Sequence, residues 1–520
     1  MVQCCHRRRA PTMVLKLDFA KAFDSINWVS LRAAMEVRGF PSLWCDWMDA
    51  LFHSLSSAVL LNGVPGRWFQ DEVLRHPLLL DAPAVVLQYA DDTLIIARAT
   101  EGGAVRLRQI LDQFAAATGL IINFTKSTRV PVHVEEEDLA WVVAALGCAT
   151  GSFPQTYLGL PLSWEKLRFA DFLPLIAKVD KYLAGWAARL LSPARRLVLI
   201  NTVLDALPTY AMAALLLPLA VVRALDGLRR AFLWNVAERA SGAQCLVAWE
   251  RVCRAKSEGR LGVRDLATQN LCLLLKMLHR LHTTPDSRWA AWIWGGAGGR
   301  SLLARSELAL GEHRTAIVKL LPLYRAISVV DVGEGSTCYF RVPDSLLPRP
   351  GRGARVGGDE RRLLHAAAPK GALSSSSAYR FLRFGEVAAG FAHMIWEARA
   401  SSRVKFFYWL LVQRRIHTRD VLLRKHIVDA EDAGCPLCSA ALETADHMLF
   451  SYPFAMAFWR HVQVIVDGVM VYKLGALAAA VAEGVESEVE FAMLCCWQLW
   501  KHRNAVVFQR LPPPLACLLC

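Results

Sequence analysis

The stretch "LQYADDTLII", residues 87–96, sets two adjacent carboxylates, Asp91 and Asp92, inside an otherwise apolar run. Like charges side by side repel, and desolvating either is costly unless a cation or hydrogen bonds compensate. Two readings are open on these residues. One is a hairpin turn, because Val85 to Tyr89 and Thr93 to Ala97 are rich in β-branched and aromatic residues and Asp favours turns. The other is a divalent metal site, which requires a third carboxylate. Asp18, in "MVLKLDFAKAFDSINW", can supply it. Three carboxylates suit hard cations bound through oxygen, and two such ions promote nucleotidyl transfer by activating a hydroxyl and stabilising the leaving oxygen. A second group lies in "CPLCSAALETADH", where Cys435, Cys438 and His447 have the C-x2-C-x8-H spacing of a small zinc knuckle. The alternative there is a small helical module in which the same three residues simply pack.

These groups need elements to position them. Leu15, Leu17 and Phe19 alternate with Lys16 and Asp18, the period of a strand with one buried face, and the apolar spacing turns helical from "AKAFDSINW" onward. Asp18 therefore falls near a strand end, facing the hairpin tip. Asp24 and Asn27 are expected to cap or orient the following helix. Residues 166–340 read mainly as helices, with Lys178, Lys181, Arg189, Arg195 and Arg196 between apolar positions. Those cations either track a phosphate backbone or form solvated faces. The uncharged run Ala206 to Val222 contains Pro208 and Pro218, which predicts buried helices broken at the prolines rather than a membrane span. "VPDSLLPRPGRGARVGGDERR", residues 342–362, reads as a linker.

Composition bounds the function class. Of 520 residues, 54% are hydrophobic and 20% charged, which excludes general disorder and allows two to four domains with real cores. The net charge of +14 favours a polyanionic partner such as nucleic acid. Fourteen scattered cysteines with no signal peptide ahead of them predict reduced thiols and an intracellular compartment, with the nucleus as a candidate.

The ordered set "LKLDFAKAFDSINW", "NGVPGRWF", "YADDTLIIA", "TGLIINFTKS" and "YLGLPL" resembles the reverse transcriptase (RNA-directed DNA polymerase) of plant LINE-type, non-LTR retrotransposons. The resemblance continues through "SPARRLVLINTVLDALPTYAMAALLLP", "RRAFLWN", "GRLGVRDLATQNLCLLLKMLHRL", "VKFFYWLLVQRRIHTRDVLLRK" and "CPLC", covering most of the chain. It implies that Asp18, Asp91 and Asp92 are catalytic ligands of Mg²⁺ or Mn²⁺ in a palm domain. It implies that Phe23 crowds the sugar 2′ position of a bound nucleotide, and that Lys126 lies near the triphosphate. It also implies an RNA template, a DNA primer, no membrane, and zinc at Cys435, Cys438 and His447.

The chain departs from that family in places. After "NGVPGRWF" the family runs through an "RQGDPLSP"-like element and a long helix, whereas here residues 70–88 alone precede the hairpin. The start at "MVQCCHRRRAPT" leads to the expectation that fingers elements and an N-terminal endonuclease are missing. The family's zinc-binding domain has a cysteine where this chain has Tyr452, so zinc coordination is expected to be incomplete, with water or His461 as a substitute ligand. The tail "CCWQLWKHRNAVVFQRLPPPLACLLC" resembles the lead into a ribonuclease H domain, with none expected to follow.

The expected fold class is α+β. Residues 1–165 are read as a truncated reverse transcriptase palm, 166–340 as a helical thumb-like region and 341–372 as a linker. Residues 373–465 are read as a small helical zinc-binding-like domain, and 466–520 as a C-terminal helical segment. The expected function is that of a retroelement reverse transcriptase homologue impaired by deletions. The alternatives are a non-catalytic nucleic-acid-binding remnant of a transposable element and a still-active polymerase.

Overall fold

The structure is a computed structural model that describes residues 1–20, 27–54, 74–78, 84–89, 91–186, 190–234, 245–284, 312–327, 373–383, 390–439, 441–464 and 488–509. It is of the mixed α+β class and divides into two compact units, Met1–Phe172 with Trp292–Val318, and Leu173–Ala291 with Lys319–Cys520.

The first unit is built on a five-stranded sheet. Its elements are α1 (Val2–Arg7), β1 (Thr12–Leu17), α2 (Trp28–Val37), α3 (Ser42–Ser54), β2 (Val85–Tyr89), β3 (Asp92–Arg98), α4 (Glu101–Thr118), β4 (Thr128–Val132), α5 (Glu136–Leu146) and β5 (Ala149–Thr150), followed by the separate hairpin β6 (Gln155–Tyr157) and β7 (Leu160–Leu162). The strand order is β2-β3-β1-β4-β5, with β1 antiparallel to both β3 and β4. Met13, Leu15 and Leu17 of β1 pack with Ile95 of β3 against Leu107, Ile110 and Leu111 of α4 and Leu146 of α5. Val14 points the other way, into a second cluster with Val2, Leu94, Ile96 and Val132 that Trp164 and Tyr157 help to cover. The expectation of one buried face for β1 is thus corrected. A central strand with layers on both sides buries both faces; within β1 Lys16 alone is half-exposed, and Asp18 just past its end is half-exposed too.

Asn27 fulfils its expected role at the start of α2. Its Oδ1 accepts from the N–H groups of Val29 (2.9 Å) and Ser30 (3.3 Å), two donors that the helix leaves unpaired. Asn27→Ala is expected to lower the stability of this unit by about 1 kcal/mol in urea unfolding. Asp24 lies outside the described residues. At the far end of α4, Gly119 takes φ 76°, the left-handed conformation that ends a helix without a Cβ clash.

The second unit is helical: α6 (Leu173–Gly185), α7 (Pro193–Leu199), α8 (Thr209–Ala214), α9 (Leu219–Trp234), α10 (Trp249–Val252), α11 (Leu266–Thr283), α12 (Leu321–Ile327), α13 (Ser375–Leu382), α14 (Gly390–Glu397), α15 (Ser402–Val412), α16 (Arg419–Arg424), α17 (Pro453–His461) and α18 (Glu488–Gln509). The apolar run 206–222 is broken as the prolines predict, between α8 and α9, and no helix among the described residues is long and apolar enough to cross a membrane. Lys178, Lys181 and Arg195 are exposed, but Arg196 is not the surface cation its spacing suggested. It is buried, with its guanidinium donating to the carbonyls of Leu191 and Phe232, both at 3.2 Å. Arg189 and the 342–362 stretch lie outside the described residues.

Candidate functional site

The hairpin that carries Asp91 and Asp92 forms with the predicted strands. Tyr89 pairs with Asp92, which puts Asp91 in the connection between the two strands. Asp91 is exposed at the tip and Asp92 is half-buried as the first residue of β3. The β1–β3 register ends with Leu17 opposite Thr93, so one further step brings Asp18 opposite Asp92. Residues directly opposite in an antiparallel pair project to the same face.

The "NFTKS" turn closes on the same strand end. The Asp18 N–H donates to Ser127 Oγ (3.0 Å), the Asn123 N–H donates to the Asp18 carbonyl (2.8 Å), and Ser127 Oγ donates to the Asn123 carbonyl (2.8 Å). Lys126 sits in this turn with an exposed side chain, its backbone N–H held by Asn123. The fold therefore gathers Asp18, Asp92 and the Lys126 turn at one end of the sheet, with Asp91 at the adjoining tip. Phe23 lies outside the described residues. So do residues 70–73 and 79–83 of the short link at 70–88, whose described part places Leu74 in the core behind the sheet.

Among the described residues, the one group of three or more metal-type ligands whose donor atoms converge is Cys435, Cys438 and His447, all within 4.8 Å of one another. Cys438 Sγ and His447 Nε2 are 3.3 Å apart. The loop is shaped for sulfur. Cys435 N–H donates to the Ala441 carbonyl (2.7 Å), Ser439 N–H donates to the Cys435 carbonyl (2.8 Å), and Gly434 bridges Leu442. Burial raises the Cys435 thiol pKa, while backbone N–H groups of Leu437 and Cys438 directed at the sulfur pull it down. Such N–H donors favour a thiolate, the form that binds metal.

His447 opens a wide helical turn, His447–Ser451, and the Tyr452 N–H that follows bonds the His447 carbonyl at 2.7 Å. The ring centroids of His447 and Tyr452 are 6.5 Å apart. Burial, with the charges of Cys435 and Cys438 adding to it, pushes the Tyr452 phenol above its usual range, so it holds its proton more firmly than a free tyrosine. His461, at the end of α17, is exposed and is not a member of the converging group.

Sequence reasoning missed what holds this loop. Glu443, between Cys438 and His447, is fully buried and takes both Nε (2.8 Å) and Nη2 (2.7 Å) of Arg503 on α18, together with the Arg419 N–H (2.9 Å). Arg419 Nη1 in turn donates to the Gly434 carbonyl (2.9 Å), next to Cys435. The partners are 60 residues apart along the chain, and no local pattern announces them.

Residues 2–162, which form the sheet and its hairpin, match the family described as reverse transcriptase (RNA-dependent DNA polymerase), and residues 373–459 match zinc-binding in reverse transcriptase. The chain carries a reverse transcriptase domain followed by a reverse transcriptase zinc-binding domain. Among individual proteins, it is similar to one from Arabidopsis thaliana that bears a provisional ribonuclease H name, 26% identical over 360 residues. That match covers 58% of this chain and 57% of the relative, so the chain spans little more than half of the curated protein it matches.

Proposed function

We propose that this chain is a reverse transcriptase homologue of the LINE-type, non-LTR retrotransposon class, with its polymerase chemistry impaired and its affinity for nucleic acid retained. In this reading residues 1–165 are a palm remnant, 166–340 a thumb-like region, 341–372 a linker, 373–465 the zinc-binding domain and 466–520 a C-terminal segment. Its partners are an RNA template and a DNA primer, and a DNA primer implies action in the nucleus. The observation that carries the reading is the β1–β3–β2 register, which sets Asp18 beside the Asp91–Asp92 hairpin. The net charge of +14 supports the polyanionic partner.

Asp18, Asp91 and Asp92 offer the oxygen donors that suit a hard divalent cation at one end of the sheet, although their carboxylates do not form a converging group among the described residues. Bound there, Mg²⁺ or Mn²⁺ would supply Lewis-acid stabilisation of a nucleotidyl transfer. Lys126 would set a cation beside the phosphates, where it offsets developing negative charge. Phe23 would limit room at the sugar 2′ position. Impairment follows from the link at residues 70–88, too short for the helix and contact loop that the resembling family carries there. Misplacing substrate by about 1 Å costs on the order of a hundredfold in rate.

The expected result with oligo(dT) on poly(rA) and Mg²⁺ or Mn²⁺ is extension no faster than that of Asp91→Asn. Mn²⁺ titration should show binding that the double variant Asp91→Asn, Asp92→Asn loses. Robust extension that depends on Asp91 would return the intact enzyme to first place, and identical Mn²⁺ binding by the double variant would remove the metal site.

A further inference from the structure

A cavity of about 450 Å³ lies within the second unit, between residues 253–269 and the start of α13. Ligand sites typically measure about 300–1,000 Å³. Its wall carries five cationic side chains, Arg254, Lys256, Arg264, Arg380 and Arg383, against one carboxylate, Glu258. The residues from 253 to 269 belong to neither family match.

The walls are fixed. Asp265 N–H donates to the Tyr379 hydroxyl (2.9 Å), and Arg383 Nη2 donates to the Cys253 carbonyl (3.3 Å) and lies 3.7 Å from Asp265. Lys256 Nζ stands 5.3 Å from the Trp396 ring centroid. Arg264 and Arg380 are exposed and make no salt bridge among the described residues.

The α13 end of the cavity adds donors. Ser374 caps the helix and, with Ser377, forms a reciprocal capping box. Ser375 and Ser376, the first two helical positions, line the cavity. Their N–H groups have no intrahelical acceptor, because a helix leaves its first donors unpaired. Four arginines, a lysine, two serines and the positive end of a helix lining one space match the chemistry of a phosphate group. The volume exceeds what one inorganic phosphate fills and accommodates a nucleotide unit.

We infer that this cavity binds a phosphodiester of single-stranded nucleic acid, as a second contact that does not use the Asp18, Asp91 and Asp92 carboxylates. The inference rests on the reading of nucleic acid as the chain's partner. It is tested on the full chain with labelled (rU)12, (dT)12 and inorganic pyrophosphate, using wild type, the double variant Arg264→Gln, Arg380→Gln, and the control Arg168→Gln, Arg424→Gln. The control removes the same charge at two exposed arginines that each face a carboxylate.

Loss of two phosphate contacts is expected to lower the salt slope of oligonucleotide binding by about 1.4, and affinity on the order of tenfold near 0.1 M salt, with the control unchanged. Hydrogen exchange at Ser375–Ser377 should slow with (rU)12 in the wild type and not in the pocket variant. Equal losses in pocket and control variants, or exchange protection by pyrophosphate but by neither oligonucleotide, would overturn the pocket assignment alone. No binding of either oligonucleotide by the wild type would overturn the nucleic-acid reading with it.

Discussion

Arg503→Met is expected to destabilise the second unit by about 3–5 kcal/mol, because it leaves a buried carboxylate with its charge partner gone. Glu443 is fully buried and Arg503 nearly so, and their two parallel contacts at 2.7 and 2.8 Å are the fork geometry that suits guanidinium and carboxylate. The pair does more than fill space. Glu443 N–H donates to the Ala433 carbonyl (3.3 Å) and its own carbonyl accepts from Asp420 (3.1 Å), so the residue ties both sides of the Cys435–His447 loop to α16 and α18. Urea unfolding followed by the buried Trp409 and Trp459 measures the cost. The double variant Arg503→Met, Glu443→Met should recover most of it, since two apolar side chains leave no unpaired charge. A loss under about 1 kcal/mol for the single variant would show that the pair does not clamp the loop.

Tyr452→Cys should bind zinc on the order of a hundredfold more tightly than the wild type. Structural zinc sites contribute about 10–16 kcal/mol through four ligands, so one restored thiolate is worth roughly 3 kcal/mol. Cys435, Cys438 and His447 already converge, so the missing part is one donor rather than the scaffold. The Tyr452 phenol does not substitute, because burial and the neighbouring sulfurs raise its pKa further above neutrality. Tyr452→Phe should accordingly match the wild type. For both, affinity should fall as pH is lowered, since zinc competes with protons for the two thiols and Cys435 is raised by burial. Chelator competition at several pH values reads all three proteins. A wild type that keeps stoichiometric zinc as firmly as Tyr452→Cys would show that three ligands suffice.

The sequence by itself determined what is local. The hairpin around Asp91 and Asp92 was legible because β-branched flanks and a turn-forming pair act over a few residues. The Asn27 cap, the helix break between Pro208 and Pro218 and the knuckle spacing of Cys435 and Cys438 are local in the same way. Each depends on neighbours within one or two turns of chain.

Only the tertiary structure decided which distant groups meet. The alternation in β1 predicted one buried face, and the layers of other elements buried two. Arg196 carries the spacing of a surface cation, yet long-range packing turned its guanidinium to buried carbonyls. Glu443 and Arg503 gave no signal, and neither did the cationic cavity that joins residues 253–269 to 375–383. Their selection depends on which distant segments the hydrophobic core brings together, a contact of high sequence separation that no window of neighbouring residues contains.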